Sequence, residues 1–205
     1  MKKQKEVWIS EQDNWKVWGK NFEKREYDKL KLSGNLAIDI GAHVGIWSQR
    51  LSKDFQNVIC FEPLYKHIEC HKKNCEELNN IRLITCALSD IESNVLMTTK
   101  DTNSGMSTLR PAKFKNKRVV PVDTKTLDSF NFPKMDFIKI DVEGWEKQVL
   151  FGARETIDKY RPKMYIEIWD KNYASINELM ISWGYSLEKC TRENYLATST
   201  LTNIK

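Results

Sequence analysis

One glycine turn and two acidic motifs hold most of the residues whose types and spacing could do chemistry. Ile38-Asp-Ile-Gly-Ala-His-Val-Gly45 stands where an apolar run ends and a helical pattern begins. Gly41 and Gly45 permit a tight turn and close approach of the backbone to a ligand. An acid follows in Phe61-Glu62-Pro63, with Glu62 21 residues beyond Gly41. At that interval an acid reaches a ribose diol. Glycine turn plus spaced acid implies an adenosine-containing cofactor. Asp39 occupies the place of the first glycine in the Gly-x-Gly-x-x-Gly dinucleotide fingerprint. A carboxylate there repels a pyrophosphate. It suits a cofactor with an ammonium, a sulfonium and no phosphate, which describes S-adenosylmethionine. No Gly-x-x-x-x-Gly-Lys-Ser/Thr run occurs, so a P-loop is excluded.

The second acidic motif is Asp136-Phe-Ile-Lys-Ile-Asp-Val-Glu-Gly-Trp-Glu146. Asp141 and Glu143 lie past the end of an apolar strand, with Asp141 expected to face the same crevice as Asp39 and Glu62. Ile166-Glu167-Ile168 adds a third acid between apolar neighbours. A strand buried on both faces holds a carboxylate only if it is paired or functional. Lys139 is flanked in the same way, so a buried Lys139–Glu167 pair and a catalytic Glu167 are both open.

Three other constellations have weaker chemistry. His67-x-x-Cys70-His71-x-x-x-Cys75 resembles zinc-ligand spacing. On a helix, however, His71 and Cys75 share the apolar face of Leu64, Ile68 and Leu78 while Cys70 points away, so the set does not converge on one ion. Arg110, Lys113, Lys115, Lys117 and Arg118 form a basic cluster, either a solvated loop or an attraction for an anionic acceptor. Asp141, Glu143 and Asn103 are an alternative magnesium set, but their spacing defines no oxygen shell, and no metal is expected.

These residues need elements to position them. The chain has 205 residues, with 33 basic and 28 acidic side chains and a net charge of +5. That balance lacks the basic stripe of a nucleic-acid binder. A nucleic-acid methyltransferase would also want a polar-aromatic run for a flipped base, and none occurs. No apolar run is long enough to span a membrane, and the amino terminus lacks a secretory apolar stretch. Five cysteines without a Cys-x-x-Cys read as reduced thiols and a cytoplasmic address.

Residues 1–33 read as an aromatic helical appendage, with Trp15, Trp18 and Phe22 on one helical face. This face either packs on the domain or serves as a lid or homodimer contact. Residues 34–205 read as the main domain. Leu36–Ile40, Asn57–Phe61 and Ile81–Ala87 are expected strands, and Val44–Phe55 and Leu64–Leu78 the helices between them. Val95–Thr99 and Val119–Val122 follow, the latter an edge strand because of Pro121. Asp136–Ile140, a helix through Val149 and Ile157, Lys163–Ile168, a helix over 173–183 and a closing hairpin over 184–200 complete the chain. This alternation implies an α/β fold with a mostly parallel sheet, helices on both faces and an antiparallel closing strand.

The segments Asp39–Gly45, Phe61–Pro63, Ala87-Leu-Ser-Asp90, Thr126-Leu-Asp128, Phe137–Glu146 and Val149-Leu-Phe-Gly-Ala153 resemble, in the same order, the FkbM-type methyltransferase family. The resemblance covers roughly residues 36–168. It implies a class I, Rossmann-like fold, S-adenosylmethionine as cofactor, and methylation of a hydroxyl on a sugar or related small metabolite. Asp39, Gly41, Ala42, His43 and Gly45 would cradle the methionine part, with Asp141 beside them. Glu62 and Pro63 would hold the ribose. Ala87 and Leu88 would line the adenine, with Leu64 beneath it. Asn103, Gly105, Ser107 and Leu109 resemble the family's loop beside the acceptor, a small molecule or glycan. Trp145 departs from the smaller residue usual there.

An alcohol acceptor must lose a proton, and general-base help contributes about a hundredfold or more. The candidates are Asp141, Glu143, His43 and Glu167, with Asp141 or Glu143 favoured. An N-methyltransferase of the same fold and a catalytically silent binding module remain the alternatives.

Overall fold

The computed structural model describes residues 27–100, 107–109 and 117–201. Its main sheet has seven strands: β1 (Gly34–Ile40), β2 (Phe55–Phe61), β3 (Ile81–Ile84), β7 (Phe137–Ile140), β8 (Lys163–Glu167), β9 (Tyr185–Lys189) and β10 (Asn194–Ser199). The spatial order is β3-β2-β1-β7-β8-β10-β9. Strands β3 through β8 in that order pair in parallel, and β10 runs antiparallel to β8 and β9. The chain leaves β1 outward through β2 and β3, then restarts on the other side with β7. That reversal places a crevice at the carboxyl ends of β1 and β7, where open α/β sheets bind ligands.

Alternation along β1 explains why helices cover both faces. Leu36, Ile38 and Ile40 pack with Val149 and Leu150 of α3 (Glu146–Phe151), Ile157 of α4 (Arg154–Tyr160), and Ile176 and Met180 of α5 (Asp170–Ser182). Ala37 turns to the opposite face, with Leu51 of α1 (Ile46–Asp54) and with Tyr27, Leu30 and Leu32. The described end of the amino-terminal segment is thus packed into a core of the main domain. The remaining helix, α2 (Tyr65–Cys75), joins β2 to β3.

Several elements differ from the sequence expectation. Ile81–Ala87 is not one strand. It breaks after Ile84, and β4 (Ala87–Leu88) belongs to a second, three-stranded sheet with β5 (Ser93–Lys100) and β6 (Lys117–Lys125). β6 is the middle strand of that sheet, not an edge. β4 covers only Thr124 and Lys125, though, so Pro121 faces a partner, Leu96, on one side alone. Its missing N–H is therefore tolerated. The expected single helix through Val149 and Ile157 is two helices, broken at Gly152-Ala153. A Cβ at Gly152 would overlap the Ser89 carbonyl, so this break lets the chain pass close to the strand end of β4. Cys70 is buried on α2 alongside His67, Ile68, His71 and Cys75, because the helix packs over a wider arc than one apolar stripe.

Candidate active site

The turn after β1 is built around close backbone approaches. Gly41 and Ala42 both donate their N–H groups to the Phe61 carbonyl at 3.0 Å, tying the turn to the end of β2. Gly41 has φ +75°, and a Cβ there would overlap the Asp141 carbonyl. Gly45, at φ +88°, faces away from the crevice. A Cβ on it would stand 2.9 Å from Cys75 Sγ and 3.0 Å from His71 Cδ2, so this glycine admits α2.

Glu62 is buried at the end of β2. Its Oε2 accepts the His43 N–H at 2.9 Å, and its Oε1 accepts the Leu64 N–H at 3.0 Å. His67 Nδ1 is 3.1 Å from Oε1. Burial alone would raise the carboxyl's pKa. The hydrogen bond and charge of His67, with the Leu64 amide, outweigh it and leave the carboxyl below its ordinary value. His43 has a buried Nε2 without a hydrogen-bond partner. Burial, and then the facing His67, push its imidazole down to about 4, so the ring is neutral at pH 7.

The register of β1 and β7 sets Asp39 directly beside Lys139. Asp39 is fully buried and does not line the crevice expected of it. Ser48 Oγ donates to its Oδ2 at 2.7 Å, and Ser48 is also 3.0 Å from His71 Nε2. Lys139 Nζ donates to the Gly41 carbonyl at 2.9 Å and lies 3.5 Å from Asp39 and 3.4 Å from Asp141. Burial opposes its charge, but Asp141 and Asp39 hold the pKa above the usual lysine value. The ion pairs of Lys139 are therefore with these two acids, not with Glu167 as the sequence allowed.

Glu167 instead meets the other acids. Asp141, Glu143 and Glu167 offer carboxylate oxygens that all lie within 4.8 Å of one another. Among the described residues they are the group spaced to share a cation, whereas the His67, Cys70, His71 and Cys75 set is not. Burial first, then repulsion from Asp141 and Glu146, push Glu143 up to about 8. Burial and its neighbours Asp141 and Glu143 raise Glu167 as well. Like charges this close oppose one another's ionisation, so Glu143 and Glu167 hold their protons more tightly than ordinary carboxyls.

These groups surround a cavity of about 180 Å³. Gly41, Ala42, His43, Glu62 and Pro63 form one wall, and Lys139, Asp141, Glu143 and Trp145 another. Ala87, Leu88 and Met97 supply an apolar end, and Ser107 and Leu109 reach it from the loop beyond β5. Trp145 Nε1 donates to Ser89 Oγ at 3.1 Å, which fixes the indole as part of the rim. Leu64 packs behind Ala87 and Met97, and neither Leu64 nor Gly45 lines the cavity. Asn103 and Gly105 lie outside the described residues. Sequence reasoning passed over His67 and Trp47, which line the cavity, and read Lys139 only as a pair for Glu167. His67 had a signal: it follows Glu62 by five residues, near enough for a helix start to fold back on the acid.

A family model for the methyltransferase FkbM domain matches residues 39–187. The chain belongs to this family. No curated protein matches it. Among solved structures, an FkbM methyltransferase from Methylobacillus flagellatus KT is 18% identical with a TM-score of 0.61. That match covers 83% of this chain and 45% of the other, so the chain spans under half the length of that relative. The precorrin 8w decarboxylase of Methanobacterium thermoautotrophicum is 10% identical, with a TM-score of 0.55 over 89% of this chain and 93% of its own. Magnesium protoporphyrin IX methyltransferase from Synechocystis PCC 6803, solved with bound S-adenosylmethionine, is 14% identical, with a TM-score of 0.51 over 86% and 75%. At these identities the likeness is one of fold.

The cofactor of FkbM methyltransferases is S-adenosylmethionine, and the cavity suits it on its own chemistry. Among the described residues the cavity is lined by the acids Glu62, Asp141 and Glu143 against the formal cation Lys139. An excess of acid favours a ligand with two cationic centres and disfavours a pyrophosphate. Gly41 is part of the cavity lining, and Ala87, Leu88 and Met97 offer an apolar slot for a base.

Proposed function

We propose that this protein transfers a methyl group from S-adenosylmethionine to a hydroxyl of a sugar or similar small hydroxylated metabolite. The observation that carries this reading is one cavity with a ribose-type acid, Glu62, on one wall and, on the other, Asp141 and Glu143, the latter held above its ordinary pKa by burial and by neighbouring carboxylates. The bound cofactor would supply a methyl carbon activated by a sulfonium.

The chain's own residues would do the rest. Glu62 accepts the ribose hydroxyls, and Ala87, Leu88 and Met97 enclose the adenine. Gly41, Ala42 and Asp141 hold the methionine end, with Asp39 acting from beneath through Lys139. Positioning of the two reactants is the main contribution, because a displacement at carbon needs alignment above all. Glu143 or Asp141, within reach of Glu167, takes the hydroxyl proton. A carboxyl raised toward neutrality is a better-matched base than an ordinary one.

The test is methyl transfer from labelled S-adenosylmethionine to a panel of sugars, other alcohols and amines. Labelled product from hydroxylated acceptors alone supports the reading. Product from amines alone would replace it with N-methylation, and cofactor binding without turnover of any acceptor would favour a binding module.

A further inference from the structure

We propose that His67 is a positioning residue that locks the Glu62 carboxylate in the orientation that grips a ribose, and so sets how strongly the site distinguishes ribose from deoxyribose. The inference rests on the cofactor reading above.

The carboxylate of Glu62 has about four lone-pair sites, and protein donors account for three. Oε2 takes one, from the His43 amide, and Oε1 takes two, from the Leu64 amide and His67 Nδ1. The remaining acceptor site is on Oε2, and Glu62 is part of the cavity wall. The terminal torsion of a glutamate is broad and nearly two-fold, so one amide on each oxygen defines it loosely. Among the described residues His67 adds the one side-chain donor to these two amides, and it comes from α2 rather than from the two flanking turns.

The chemistry of the pair fixes its direction. Glu62 titrates below its ordinary value and is an acceptor only once ionised. The proton of the hydrogen bond is therefore on His67 Nδ1. The ring that donates it is held in turn: His67 is 6% exposed, and its imidazole stands edge-on to that of His43, with centroids 4.2 Å apart and planes at 69°. The same His43 gives its backbone N–H to Oε2. Glu62, His43 and His67 thus form a closed set in which the carboxylate cannot turn without breaking a bond or displacing a ring.

The experiment measures the affinity of the full chain for S-adenosylhomocysteine and for its 2′-deoxyribose analogue by calorimetry. The proteins are the wild type, His67→Phe, His67→Asn, and Lys72→Ala as a control on the exposed side of α2. Phe keeps a ring without the donor, and Asn keeps a donor near the Nδ1 position. The wild type should prefer the ribose ligand. His67→Phe should bind it about tenfold more weakly, the scale of one lost hydrogen bond to a buried charged group. The analogue should lose less, so the preference collapses. His67→Asn should restore most of the preference, and Lys72→Ala should change neither affinity. A merely structural role for His67 would lower stability but leave the ratio of the two affinities alone. An unchanged ratio in His67→Phe overturns the proposal, and if the Phe variant fails to fold, a collapsed ratio in His67→Asn, whose donor should preserve it, does so instead. If the wild type binds neither ligand, the cofactor reading falls and takes this inference with it. If the wild type binds but the ratio stays fixed in the variants, the role of His67 alone falls.

Discussion

Lys139 balances the charge beneath the cavity, and its two acids were only half visible in the sequence. Glu62, Gly41, Asp141 and Glu143 were legible because each sits in a local motif at a strand end. The Asp39–Lys139 pairing depends on the register of two strands about a hundred residues apart, and no local pattern encodes it. Lys139→Met should leave Asp39 buried without its cation, a loss of about 3–5 kcal/mol. Urea denaturation would measure it, and an unchanged midpoint would mean that Ser48 alone satisfies Asp39. Glu143 carries a second prediction. Its folded pKa of about 8 lies above the ordinary 4.5, so the native state binds more protons than the unfolded chain between those values. Stability from this group is complete below about 4.5, declines as the pH rises toward 8, and levels off beyond. Glu143→Gln should flatten that decline in a series of melting temperatures. If Glu143 is the base, activity should rise with pH through the same upper limit, and the Gln variant should lose about a hundredfold in kcat or more.

The parallel strands and most helices follow from apolar period and turn residues, and these were readable. What was not readable was where a continuous apolar run changes sheets. Ile81–Ala87 has the composition of one strand, yet β4 leaves the main sheet to pair with β6 and brings Ala87 and Leu88 to the cavity. The decision rests on tertiary contacts, because the apolar residues continue from β3 into β4 with no turn signal between them. The break between α3 and α4 is similar. Helical spacing continues through it, while the backbone of Gly152 is pressed on Ser89. Gly152→Ala should therefore cost about 1–3 kcal/mol, the range for overpacking a filled space. A chemical denaturation midpoint would show it. A neutral substitution would mean that the two segments can slide apart.

The described residues form an α/β arrangement whose topology reverses between β1 and β7, and Gly41, Glu62, Lys139, Asp141 and Glu143 stand at that reversal. Among the described residues no helix is long and apolar enough to cross a membrane. The amino-terminal aromatic stretch read as lid or dimer contact lies, before Tyr27, outside the described residues. The central claim is that this cavity binds an adenosyl ligand through Glu62. Its most direct test is a melting-temperature titration with S-adenosylhomocysteine, run beside NAD and repeated on Glu62→Ala. At about 100 times its Kd, a ligand adds roughly 2.7 kcal/mol, which in a protein this size raises Tm by about 5–10 °C. The account predicts that rise for the wild type, none with NAD, and little in the variant. An equal rise in wild type and Glu62→Ala, or no rise in either, would contradict it.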